Sequence, residues 1–192
     1  MSARGNARPS FVVALALSLA LLCAGLAIGF QTDFGADPAK GPSAVRLSWW
    51  DAFVGVVAAN APALAILYSG ALTIGVATLI TWPIIAIYIG ATLRASVNLL
   101  GAEKVFGTIW VYAPLEFLAM VLGASAGLMP LLSGLRTAFR PASGERPLRA
   151  CLGDIPGTLR TIAIALGLML LAAAIEASVI ALNPALEGRN AP

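Results

Sequence analysis

The chain is expected to fold as an all-α membrane bundle of about five transmembrane helices, and three observations predict this. Of its 192 residues 59% are hydrophobic and 11% charged. A water-soluble domain carries about a quarter charged residues, so too few are present to cover a surface facing water. The mean hydropathy of +0.90 agrees. The charges are also bunched, leaving uncharged runs long enough to cross a bilayer core of about 30 Å, which takes about 20 helical residues. The length suits one integral membrane domain over residues 1–192.

The first span is placed at about residues 10–30, behind Arg4 and Arg8. A cleaved signal peptide is the rival reading. The apolar run exceeds the ~7–15 residues usual for one, and no A-x-A site ends it. The next uncharged run, 52–93, would extend about 60 Å as one helix, twice the bilayer core. It must fold back. Thr81-Trp82-Pro83 is the expected turn, because proline disfavours helix at the preceding residue and tryptophan favours the interface. That gives spans at about 62–80 and 83–100, the latter stopped by Gly101. Ser48-Trp49-Trp50-Asp51 reads as a capping box. It is expected to open a short interfacial helix, Trp49 to Ala59, before Asn60 and Pro62 break it. The fourth and fifth spans follow at about 106–132 and 161–182, with Asn183-Pro184 as the final stop.

Between those last two spans, residues 134–160 carry Arg136, Arg140, Arg146, Arg149 and Arg160 against Glu145 and Asp154. Short arginine-rich loops stay cytoplasmic. The N-terminal tail should be cytoplasmic for the same reason, so an even number of crossings must separate the two. Four satisfies this, which puts the C-terminus outside the cell (inner or plasma) membrane. The same arginines would attract anionic lipid at about 1 kcal/mol each, or dock a cytoplasmic partner.

Three ionisable residues fall inside the predicted spans: Arg94, Glu116 and Glu176. Facing lipid, each would cost several kcal/mol. Their distances from the helix ends, about 16, 15 and 9 Å, place them at similar depth. Arg94 is therefore expected to pair with one or both glutamates, and Asn98, one turn further on, to join them. Gly123 and Gly127 return to within about 20° of Glu116 on a helix, with Met120 nearby. Small residues at that spacing let helices approach closely, so Glu116 should face a packed neighbour. Ala172, Ala173 and Asn183 share the face of Glu176. Ala71 and Gly75 form another small-x-x-x-small pair, expected on the second span.

Catalytic chemistry finds little support. Histidine is absent, which removes the commonest general base and metal ligand. Gly123-Ala124-Ser125-Ala126-Gly127 matches a nucleophile elbow, but that motif needs a strand-to-helix turn and a histidine. No catalytic, cofactor-binding or metal site is expected. Cys23 and Cys151 lie far apart, and Cys23 sits in an apolar run. The net charge of +3 gives no nucleic-acid footprint.

Three stretches together resemble the stage II sporulation protein M family of bacterial membrane proteins. They are Asn60 to Leu93, with SGALTIGVATLITWPIIAIYIGATL; Pro114 to Ala119 followed by LGASAGL; and AAAIEASV around Glu176. The order of the three carries the likeness, which covers most of the chain. Where the family often has His-Gly before its first glutamate, this sequence has Tyr112-Ala113, so a role resting on that histidine does not carry over. The resemblance implies a non-enzymatic membrane subunit with protein partners or copies of itself: a scaffold, or an export or transport partner in an envelope or bacteriocin-type secretion or immunity complex. A small transporter or channel using the Arg/Glu site is the alternative from the residues themselves, and an intramembrane enzyme a distant third. A cavity reaching the charges would favour transport, and a dry ion pair the scaffold.

Overall fold

The computed structural model describes residues 7–32, 48–139 and 146–182, with side chains from residue 10 onward. Seven helices follow in order: α1 (Ala7–Gln31), α2 (Trp49–Ser69), α3 (Val76–Leu100), α4 (Ala102–Ile109), α5 (Ala113–Ala138), α6 (Pro147–Gly153) and α7 (Ile155–Leu182). No strand occurs among the described residues. Five segments are long and apolar enough to cross a membrane: α1, α2, α3, α5 and the continuous α6–α7 stretch. The expected all-α membrane bundle is what the chain forms.

Side-chain bonds fix which way each helix runs. At one end Ser133, late in α5, bonds both Ser10, early in α1, and Asp154, just before α7. Arg136, Arg146 and Arg149 lie nearby in sequence, so this is the arginine end. At the far end the Trp49 indole donates to the Ser178 hydroxyl at 3.0 Å. Tyr68 and Thr158 hydroxyls sit 3.5 Å apart at the arginine end. Helices α2 and α7 are therefore antiparallel along their whole length. It follows that α1, α3 and α7 run away from the arginine end and α2 and α5 run towards it.

Helix α5 is the centre. Over an apolar 18-residue stretch of α5 67% of residues are buried, against no more than 28% over such a stretch of any other span. Its glycines admit the neighbours. Gly123 meets Leu64 of α2, and Gly127 meets Leu67 of α2 and Thr78 of α3, where a methyl group would clash. Trp82, fully buried in α3, completes the core with Leu67, Leu128 and Met169. Its indole donates to the Ser18 carbonyl at 2.9 Å, and the Ser18 hydroxyl donates to the Val121 carbonyl at 3.0 Å. These bonds tie α1, α3 and α5 together at mid-bundle. Away from water a polar group without a partner is costly, and here each has one.

The second hairpin differs from expectation. Its turn is Gly70–Gly75, not Thr81–Pro83, and both Pro62 and Pro83 lie inside helices. The interfacial helix and the second span are one helix, opened as expected by Ser48, whose hydroxyl accepts the Asp51 N–H. Two features decide the turn. Ile74 (φ 52°) and Gly75 (φ 84°) reverse the chain in the left-handed region, and the Thr78 hydroxyl donates to the Leu67 carbonyl at 2.6 Å to close it. Proline is tolerated within membrane helices because neighbours can satisfy the freed carbonyl. Ala71 and Gly75 thus belong to the turn and are not a helix-packing pair. The close approach is made elsewhere, by Gly25 and Gly29 of α1 against Ala86 and Gly90 of α3. A Cβ on Gly90 would lie 3.0 Å from the Leu26 Cα. The fourth span is also divided: α4 ends at Ile109, and α5 begins at Ala113 after a short turn. The fifth begins at Ile155, earlier than expected; its expected stop at Asn183-Pro184 lies outside the described residues.

Candidate functional site

Three helices converge on one polar group of side chains. Glu116 stands in the first turn of α5, Glu176 lies six residues before the end of α7, and Asn60 is midway along α2. The Asn60 amide donates to a Glu116 carboxyl oxygen at 3.0 Å. Glu176 stands with them, and both carboxyl groups border one cleft.

The local sequence explains the convergence. Glu116 lies on the Gly123/Gly127 stripe, and that stripe packs on α2 through Leu64 and Leu67. Asn60 precedes Leu64 by one helical turn on the same face of α2. Ala172, Ala173 and Ala177 are fully buried, so α7 presses its small face inward and carries Glu176 with it. Helical periodicity places Glu116 and Glu176 on small-residue faces, and both faces pack as expected.

The group stands in a cleft of about 380 Å³ between α2 and α3, backed by α5 and α7, with α4 at one side. Asn60, Tyr88, Thr92, Tyr112, Glu116 and Glu176 supply polar lining atoms, and the remaining lining is largely aliphatic and aromatic.

Arg94 is not part of this site. No ion pair joins it to either glutamate. Its guanidinium lies over the Phe30 ring of α1, 5.4 Å from the centroid. The helix face is the reason, not depth. Arg94 lies six residues before the end of α3, as Glu176 does in α7, and Thr92, Leu93 and Ser96 beside it line the cleft. Its own side chain leaves α3 on the α1 side, and Asn98 is exposed one turn beyond. Asn60 takes the place expected of Arg94. It was legible only as a helix breaker, yet an amide inside a 42-residue uncharged run signals a hydrogen-bonded position. Tyr112 and Tyr88 carried no such signal.

Of the five arginines, Arg140 lies outside the described residues. Arg136 is in the last turn of α5, Arg146 caps α6, and Arg149 and Arg160 are exposed on α6 and α7. They share one end of the bundle with a buried set the sequence did not reveal, Ser10–Ser133–Asp154. Asp154 accepts from Ser133 through its side chain, and its carbonyl accepts the Gly157 and Thr158 N–H groups that start α7. This is a structural anchor.

The arrangement can hold a proton or a positively charged group in the cleft, with acceptors from three helices and no cationic side chain of the described chain beside them. Compared with protein-family models, curated proteins and solved structures, the chain matches none.

Proposed function

We propose that this protein is a non-enzymatic membrane transport component that takes a positively charged cargo group into the cleft at Asn60, Glu116 and Glu176. It acts alone or as the transport or export partner of an envelope or peptide-handling complex. One observation carries the reading: the cleft reaches both carboxyl groups, and Arg94 does not neutralise them. Ionisable residues kept within a membrane bundle are expensive and characteristically line transport paths. Reconstituted vesicles test it. Uptake of rubidium, guanidinium, ethidium and agmatine is compared with that of protein-free vesicles. At least one should enter faster, and Glu116→Gln or Glu176→Gln should remove about nine-tenths of that gain, an effect of about 1.4 kcal/mol. Equal uptake of all four with and without protein rules the reading out.

A scaffold role, the one implied by the sporulation-family resemblance, draws support from a different place. The outer face of α2 carries Trp50 stacked on Phe53 above an apolar groove along Val57, Ala61 and Ala65. Small residues on such a face admit a partner helix closely. Ala65→Leu should then abolish recovery of any co-purified membrane protein in mild detergent while leaving cation uptake unchanged.

A further inference from the structure

The size and lining of the cleft say more about the cargo than its charge does. A single water takes about 30 Å³, and the cleft is about 380 Å³. Sites for small organic molecules run from about 300 to 1,000 Å³, mostly apolar with a few polar groups that fix orientation. This cleft has that make-up: Tyr88, Ile89, Val105, Ile109 and Phe117 form apolar walls around one polar end. The polar end offers three acceptors. Asn60 uses its amide N–H on Glu116, and its carbonyl oxygen, to which no described residue donates, is a third acceptor beside the two carboxyl groups.

We propose that the cleft selects a primary amine with a small apolar body, whose ammonium group is held by Asn60, Glu116 and Glu176. This rests on the cleft being the cargo site. A primary ammonium has three N–H donors, matching Asn60, Glu116 and Glu176. Binding changes no covalent bond. The other groups facing the pair are Tyr88 of α3 and Tyr112 of the turn before α5. Helix α4 contributes Val105 and Ile109, its Glu103 and Lys104 being exposed and outside the lining.

Calorimetry on the full chain in detergent tests this, with phenethylamine as the probe. The N,N,N-trimethyl analogue has the same body and charge but no N–H, and should bind about tenfold more weakly or worse. Glu116→Gln should weaken phenethylamine binding by about tenfold and bring it close to that of the trimethyl analogue. Glu176→Gln should do the same, and serves if the first variant is not monodisperse. Equal binding of the trimethyl analogue, or unchanged phenethylamine binding by the variants, overturns the proposal. If neither amine binds while vesicles take up rubidium or guanidinium, the amine is wrong and the transport reading stands. Failure of both binding and uptake removes both.

Discussion

Asn60 and Trp82 show how single polar atoms hold this bundle together. The Trp82 indole is buried and bonded to the Ser18 carbonyl. Trp82→Ala should cost about 3–5 kcal/mol, since it adds a cavity. Trp82→Phe removes mainly the bond and should cost about 1–2 kcal/mol, the upper range for membrane hydrogen bonds. Ser18→Ala spares the carbonyl that Trp82 uses and loses only the hydroxyl bond to Val121, so about 0.6 kcal/mol is expected. Reversible unfolding in mixed micelles should rank the three in that order; a Ser18→Ala cost equal to that of Trp82→Ala contradicts this bonding. Asn60→Leu leaves Glu116 without its amide donor and should destabilise the fold by about 1–2 kcal/mol. The glutamates were legible as costly charges in apolar runs, whereas Asn60 was overshadowed by Pro62. A proline beside an asparagine looks like the end of a helix, and only packing against α5 shows that the helix continues.

At the scale of elements, α1 against α3 is the closest crossing. Gly25, Gly29, Ala86 and Gly90 bring the two backbones together, with no bulky side chain between them. Gly90→Leu should cost about 1–3 kcal/mol or more by overpacking. Gly167→Leu in α7, with open space around its Cα, should fall within about ±0.5 kcal/mol. Equal thermal stability of the two variants would contradict this packing. Gly75 is different in kind: its φ of 84° strains any side chain there, so Gly75→Val should destabilise the α2–α3 turn by about 1–3 kcal/mol. The hairpin itself was legible from length alone, because a 42-residue uncharged run cannot cross once. Its turn was not. Two prolines and a tryptophan gave strong local signals for Thr81–Pro83, but the Thr78–Leu67 bond and the left-handed pair at Ile74-Gly75 outweigh them. Arg94 stays level with the site, and the α1-facing side of α3 is what takes it away.

Across the whole molecule, five crossings in alternating direction put the α2–α3 turn and α6 at one end and the last turn of α7 at the other. With the native cysteines replaced by serine, an impermeant maleimide should label Leu72→Cys and Leu148→Cys from one side of sealed vesicles and Leu182→Cys from the other. Leu72→Cys labelling from the Leu182 side would refute the topology. Loss of labelling difference between Leu148→Cys and Leu182→Cys would do so as well.

The sequence by itself determined the solvent and the number of crossings, because both depend on quantities that simply add along a chain: apolar length and charge density. It also determined that Glu116 and Glu176 face inward, since helical periodicity puts each on a small-residue face. Which partner meets them was decided only by the tertiary structure. Which face of a helix meets which neighbour is set by contacts between residues far apart in the chain. Asn60 therefore stands at the carboxyl pair, and Arg94, at a similar depth, lies over Phe30 of α1.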